Sequence, residues 1–202
     1  MLKVGLTGGY ASGKSFVASE LERHGCHVIY ADRLGHAVLE LYGEAYRPTV
    51  EAFGTGILGS DGTINRKKLG AVVFHSPEML ERLSGFVHPA VFRLEAKMLA
   101  EFEQADPGGI AVIEAAILIE TGRYKVFDRL ILTACSEEIQ IARGMHRDGL
   151  TREQVLARLS KQMPLAEKRR FADYVVDTGG PKTETIKQVN KIVAELKALQ
   201  EK

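Results

Sequence analysis

The sequence predicts an α/β fold in which helices cover both faces of a five-stranded parallel sheet. Three observations carry that prediction. Short apolar runs alternate with longer stretches of helical periodicity along the chain. Turn-forming clusters separate them, the strongest being Asp106-Pro107-Gly108-Gly109. The run that follows, residues 110–113, is apolar without interruption, as strands buried on both faces are.

Taken in order, residues 2–7 (LKVGLT) read as a short buried strand that breaks at Gly8-Gly9. A helix follows over residues 15–24, with Phe16, Val17 and Leu21 on its apolar side, and Gly25 closes it. Residues 27–30 form the second strand. From Asp32 to about Glu103 the pattern is mostly helical, with turn chemistry over residues 54–62 and helix restarts near Asn65 and Ser76-Pro77. His88-Pro89 is read as a helix boundary, because proline restricts the residue before it. Phe53, Phe74, Phe86 and Phe92 are assigned to the core of this helical stretch. Residues 110–113, 129–134 and 174–176 supply the remaining strands. Residues 137–170 are a charged helical segment, in which Lys168-Arg169-Arg170 reads as a solvated cluster. Residues 183–200 close the pattern as an amphipathic helix with Ile186, Val189, Ile192, Val193, Leu196 and Leu199 on one face.

The 202 residues suit one α/β domain with inserted subdomains better than two independent domains. With 27 basic and 26 acidic residues the net charge is +1, which argues against a nucleic-acid footprint or polybasic membrane attachment. Cys26 and Cys135 match no zinc or redox spacing and fit a reducing compartment. No apolar run approaches the ~18 residues of a spanning helix and no signal-peptide pattern opens the chain, so a cytoplasmic protein is expected. His24, Cys26 and His27 straddle a helix end and a strand start with no fourth ligand apparent, and are not assigned to a metal.

Residues 8–15 (GGYASGKS) match G-x-x-x-x-G-K-[ST] in full, with an apolar strand before them and a helix after. The chemistry needs both neighbours. Glycines let the backbone turn so that successive N–H groups point at phosphates, and the helix adds its unpaired N-terminal donors. Lys14 then reaches the β- and γ-phosphates, and the Ser15 hydroxyl coordinates Mg²⁺. Three classes of P-loop protein remain. A GTPase carries an N-K-x-D base-reading motif, which is absent here. A mechanical ATPase carries a hydrophobic strand ending in Asp, whereas residues 110–114 (IAVIE) end in Glu alone. A kinase of a small alcohol or phosphate fits best, with a nucleotide-dependent switch as the alternative from another class.

These residues, in this order and spacing, resemble the dephospho-CoA kinase family. The resemblance runs through residues 8–15, Ala31-Asp32, Asp61-Gly62 with Arg66 and Leu69, and His88-Pro89. It continues through Ile117-Leu118 with Glu120, Gln140 with Arg143 and Arg147, Gln162, and Ala172-Asp173. It implies a P-loop NTPase three-layer sandwich with strand order 2-3-1-4-5. The core would comprise about 1–31, 106–136 and 171–202, with an acceptor-binding helical insertion at about 32–105 and a helical lid at about 137–170. It also implies Mg²⁺, ATP and dephospho-CoA as ligands, the last phosphorylated on its ribose 3′-hydroxyl. The residues alone leave another nucleoside or nucleotide kinase open. The chain departs from the family pattern at Ala11 (usually Gly), Phe16 (Thr), Tyr30 (acidic), Ala116 (Pro), Ile119 (Phe) and Thr178 (Asn).

The ATP-binding candidates are Gly8, Gly9, Ala11, Ser12, Gly13, Lys14, Ser15 and Phe16, the last through its backbone N–H. Asp32, at the carboxyl end of a parallel strand, is the candidate to orient the acceptor hydroxyl and take its proton. Its competing role is an N-cap for the next helix. Glu114 either holds a Mg²⁺-bound water or simply ends its strand. Arg143 and Arg147 lie four apart on one helix face. They either bring cations to the transferring group or belong to a solvated face.

Overall fold

A computed structural model describes residues 1–200. Strands β1 (Leu2–Gly8), β2 (His27–Tyr30), β3 (Ile110–Glu114), β4 (Arg129–Ala134) and β5 (Tyr174–Asp177) form a five-stranded sheet in the order β2-β3-β1-β4-β5. Parallel ladders join β1 to β3, β1 to β4 and β4 to β5. Consecutive residues of the central strands are buried, 4–8 in β1 and all of β3. Successive side chains point to opposite faces, so both faces of the sheet are covered. Helix α1 (Lys14–Arg23) packs on β1 and β3. It also packs on the C-terminal helix (Lys182–Gln200), which lies against β5. Val17, Ala18, Leu21, Val189, Val193 and Leu196 are buried there. Gly25, at φ 86, ends the turn after α1 with nothing near its missing β-carbon; it is there for its conformation.

Between β2 and β3 lie α2 (Ala31–Ala37), α3 (Tyr46–Phe53), α4 (Arg66–Val73) and α5 (Pro77–Ala105). After β4 come α6 (Glu137–Asp148), α7 (Arg152–Leu159) and α8 (Leu165–Lys168), and α9 is the C-terminal helix. Their starts follow capping chemistry. Asn65 accepts the N–H groups of Lys67 and Lys68, Ser76 that of Met79, Ser136 that of Ile139, and Thr151 forms a capping box with Gln154.

The chain divides into two compact units. One comprises Met1–Ile29 with the chain from Glu101 onward, and the other is Tyr30–Ala100. The second has a small core of Ile57, Leu69 and Val73, with Phe53, Leu58, Ile64 and Met79 among the side chains packed on it. Two expectations about it are overturned. Pro89 lies inside α5 and does not end it. Ala90 and Val91, directly after it, are buried, so burial outweighs the lost backbone bond. Of the four phenylalanines, Phe53 packs on the core, whereas Phe74 is 78% exposed and Phe92 43%. Among the described residues no helix is long and apolar enough to cross a membrane.

Candidate active site

The Gly-rich segment leaves β1 at Gly8 and re-enters regular structure at Lys14. A β-carbon at Gly8 would collide with the hydroxyls of Thr133 and Ser12, so the strand can end this close to β4 only with glycine. Gly13, the residue before α1, sits at φ 88, and Ala11 is left-handed at φ 54. That turn is folded on itself by Ser12 N–H to the Gly9 carbonyl at 3.2 Å. The Ser12 side chain points into the sheet, 2.7 Å from the Thr133 hydroxyl, and the residue is completely buried. Lys14 Nζ rests on the Gly9 carbonyl at 3.1 Å. The Phe16 N–H is taken by the Gly13 carbonyl at 3.1 Å, and Lys182 Nζ lies 5.1 Å from the Phe16 ring centroid.

Residues 11–16 line a cavity of about 460 Å³ whose other wall is α6: Ala142, Arg143, His146 and Arg147. Both candidate arginines therefore face the Gly-rich loop, each from a different tether. Arg143 donates to the Thr178 carbonyl at 2.6 Å and the Thr178 hydroxyl at 3.3 Å. Thr178 in turn reaches the Ser12 carbonyl at 2.8 Å. Arg147 forms a two-pronged pair with Asp148, at 2.7 and 3.0 Å. Its guanidinium lies 5.2 Å from the Tyr10 ring centroid, and that of Arg158 lies 5.3 Å away. Tyr10 donates its hydroxyl to the same Asp148. The hydrogen bonds from Arg147 and then Tyr10 hold the Asp148 carboxyl far below the usual range, and Arg147 is raised in return.

Tyr10 is gripped along its whole length. Its N–H donates to Gln162 at 2.7 Å and its carbonyl accepts from Gln140 at 2.6 Å. Gly144 of α6 makes room for the ring; a β-carbon there would come within 2.6 Å of Tyr10 Cε1 and 3.1 Å of Val155 in α7.

Glu114 is buried at the end of β3, in register with Leu6 of β1. Asp32 is exposed as the second residue of α2, in the other unit. Tyr30 holds the N-cap position of α2, which removes the capping role considered for Asp32. His24 bonds Asn190, His27 pairs with Asp106 and stacks on Phe102, and burial pushes the Cys26 thiol up to about 11. Among the described residues no group of three or more His, Cys, Asp or Glu could hold a metal.

A family model described as dephospho-CoA kinase matches residues 2–184. The chain belongs to the dephospho-CoA kinase family. It is 41% identical over 201 residues to a dephospho-CoA kinase of Geobacillus kaustophilus, covering 98% of both chains. A crystal structure of a Thermus thermophilus protein matches with a TM-score of 0.82 at 34% identity, over 96% of this chain and 97% of that one. A dephospho-CoA kinase from Campylobacter jejuni matches with a TM-score of 0.71 at 26% identity, over 97% of each. The three-layer P-loop kinase fold is common to them.

Three residues take places that sequence reasoning did not assign them. Thr178, where the family usually has Asn, is buried between the loop and Arg143. Lys168 is not part of a solvated cluster. Its side chain is completely buried and paired with Glu120 at 2.8 Å, while Arg169 and Arg170 are exposed. A run of three basic residues gives no local sign that one of them turns inward. Tyr10 falls on a variable position of the P-loop pattern, which carries no information about its side chain.

Proposed function

We propose that this chain transfers the γ-phosphoryl group of ATP to the ribose 3′-hydroxyl of dephospho-coenzyme A, giving coenzyme A and ADP. The observation that carries the reading is the family match over residues 2–184. In the proposed reaction a bond forms between the 3′-oxygen and the γ-phosphorus as the bond from that phosphorus to the β,γ-bridging oxygen breaks. The hydroxyl proton passes to Asp32 and ADP carries away the negative charge.

The loop supports the role given to its residues. The left-handed Ala11 and Gly13 bend the backbone, Gly8 and Gly9 leave no side chain in the way, and the N-terminus of α1 would face bound phosphates. Lys14 would exchange the Gly9 carbonyl for the β- and γ-phosphates. Mg²⁺ fits the donors present. Ser15 offers an exposed hydroxyl in the first turn of α1, and Glu114 is a candidate to hold a metal-bound water. A cation that keeps several waters and draws other oxygens from substrate phosphates needs few protein ligands. When bound, it neutralises charge on the β- and γ-oxygens. Arg147, half-exposed on the proposed lid, would trade Asp148 for the transferring group, while Arg143 would act from its fixed seat on Thr178. The cytoplasmic setting included in this reading is supported by the two free cysteines.

Competition among acceptors tests the proposal. With dephospho-CoA, adenosine, AMP and water offered together, ATP consumption should follow dephospho-CoA alone, one coenzyme A forming per ADP, and chelation of Mg²⁺ should stop it. Faster consumption with adenosine or AMP would move the chain to another kinase specificity.

A further inference from the structure

The completely buried side chain of Lys168, in α8, has no part in the reaction described above. Burying an ammonium is unfavourable unless every proton finds an acceptor, and a well-packed apolar side chain is commonly as stable in such a place. Stability is therefore a weak reason for this lysine. The positions of its acceptors offer a better one. Nζ lies 2.8 Å from Glu120 Oε1, 2.9 Å from the Ala116 carbonyl and 3.5 Å from the Gly8 carbonyl. Gly8 is the residue at which β1 passes into the phosphate loop, and Ala116 follows Glu114 by two residues at the exit of β3. Glu120 also accepts the Met163 N–H at 3.1 Å, in the segment that returns from α7.

We infer that Lys168 is a positioning residue that fixes the mouth of the phosphate loop against the exit of β3 and the root of the α6–α7 segment. Two carbonyls drawn to one nitrogen cannot move apart without breaking a bond. The Gly8 carbonyl and the Gly9 N–H belong to one peptide, which is trans as every peptide in the described chain is. Holding the carbonyl toward Lys168 therefore turns that N–H to the opposite side. Because Glu120 balances the charge, the effect on bound phosphate is one of geometry and not of field. Thr7, whose hydroxyl donates to the Ala116 carbonyl at 3.2 Å, adds a second tie between the same two strands.

The inference rests on the proposed reaction for its turnover arm only. Wild type, Lys168→Met and Glu120→Gln are compared by thermal melt, by calorimetric titration with ADP, and by turnover of ATP with dephospho-CoA. Lys168→Met should bind ADP about tenfold more weakly and lose kcat by at least that factor. Glu120→Gln leaves the bonds to Gly8 and Ala116 in place and should stay within about threefold of wild type in ADP affinity. A Lys168→Met protein that melts lower yet binds ADP and turns over normally would overturn the inference. So would Glu120→Gln losing as much as Lys168→Met, since the ion pair alone would then account for the effect. Should Lys168→Met fail to fold, Lys168→Arg replaces it, because guanidinium keeps the charge but not the point-like set of donors. A normal ADP affinity in Lys168→Arg overturns the inference, and a loss of about tenfold supports it. The ADP titration needs no acceptor, so inactivity of wild type on dephospho-CoA would remove the proposed reaction and leave this comparison standing.

Discussion

Lys14 and Asp32 are single side chains on which the proposed chemistry turns. Lys14 has the Gly9 carbonyl as a resting partner. Lys14→Ala should lower kcat by at least about 10²–10³, the scale for losing one transition-state donor. Its melt should stay near that of wild type, and activity close to normal would refute the kinase role. Asp32→Asn should cost about 10²–10⁴ in kcat, the usual contribution of a general base. Since Tyr30 and not Asp32 occupies the cap of α2, the melt should be unchanged and ATP affinity preserved. Near-normal turnover would leave Asp32 without a catalytic part. At this scale the sequence was legible where function depends on neighbours in the chain. The spacing of residues 8–15 places Lys14, because strand, loop and helix are consecutive. Lys168 was opaque for the opposite reason: its carbonyl partners lie 52 and 160 residues away.

Helix α6 shows how one face carries two different arginines. Four residues apart, they line the same cavity, yet Arg143 is bound to Thr178 and Arg147 to a neighbouring carboxylate. Arg147→Ala should lower kcat more than it weakens ATP binding and leave the melt almost unchanged, because exposed ion pairs contribute only about 0–1 kcal/mol. Arg143→Ala should lower stability as well, by about 1–3 kcal/mol, through loss of its bonds to buried Thr178. Steady-state kinetics with a calorimetric ATP titration and a denaturant melt separate the two, and identical behaviour would show the tethers to be irrelevant. Element boundaries were readable where a residue has a local reason to cap. Asn65 and Ser76 start their helices as expected, and the strands end within a residue of their apolar runs. Pro89 was misread because the burial of Ala90 and Val91 depends on packing that a local rule does not contain.

Across the molecule, the strand order became visible only through the family pattern, since apolar runs reveal strands but not their neighbours. The contacts joining the phosphate loop to α6 and α7 are equally hidden, and they have a pH signature. Asp148 has a folded-state pKa far below that of an unfolded carboxylate. Its contribution is therefore complete above about pH 4 and is lost as pH falls toward the folded value. Thermal melts between pH 7 and acid should show Asp148→Asn only slightly less stable at neutrality, because its ion pairs are solvent-screened, and less sensitive to acid than wild type. Parallel curves would show that the cluster around Tyr10 adds nothing. The pocket that Gly144 leaves for the Tyr10 ring also bears on descent. While the tyrosine is present, any β-carbon at 144 is obstructed. A lineage that first shortens residue 10 removes the nearer obstacle and leaves only the 3.1 Å approach to Val155, a side-chain methyl. The same two substitutions should thus be tolerated in one order and resisted in the other, making residue 10 permissive for change at a position more than a hundred residues away.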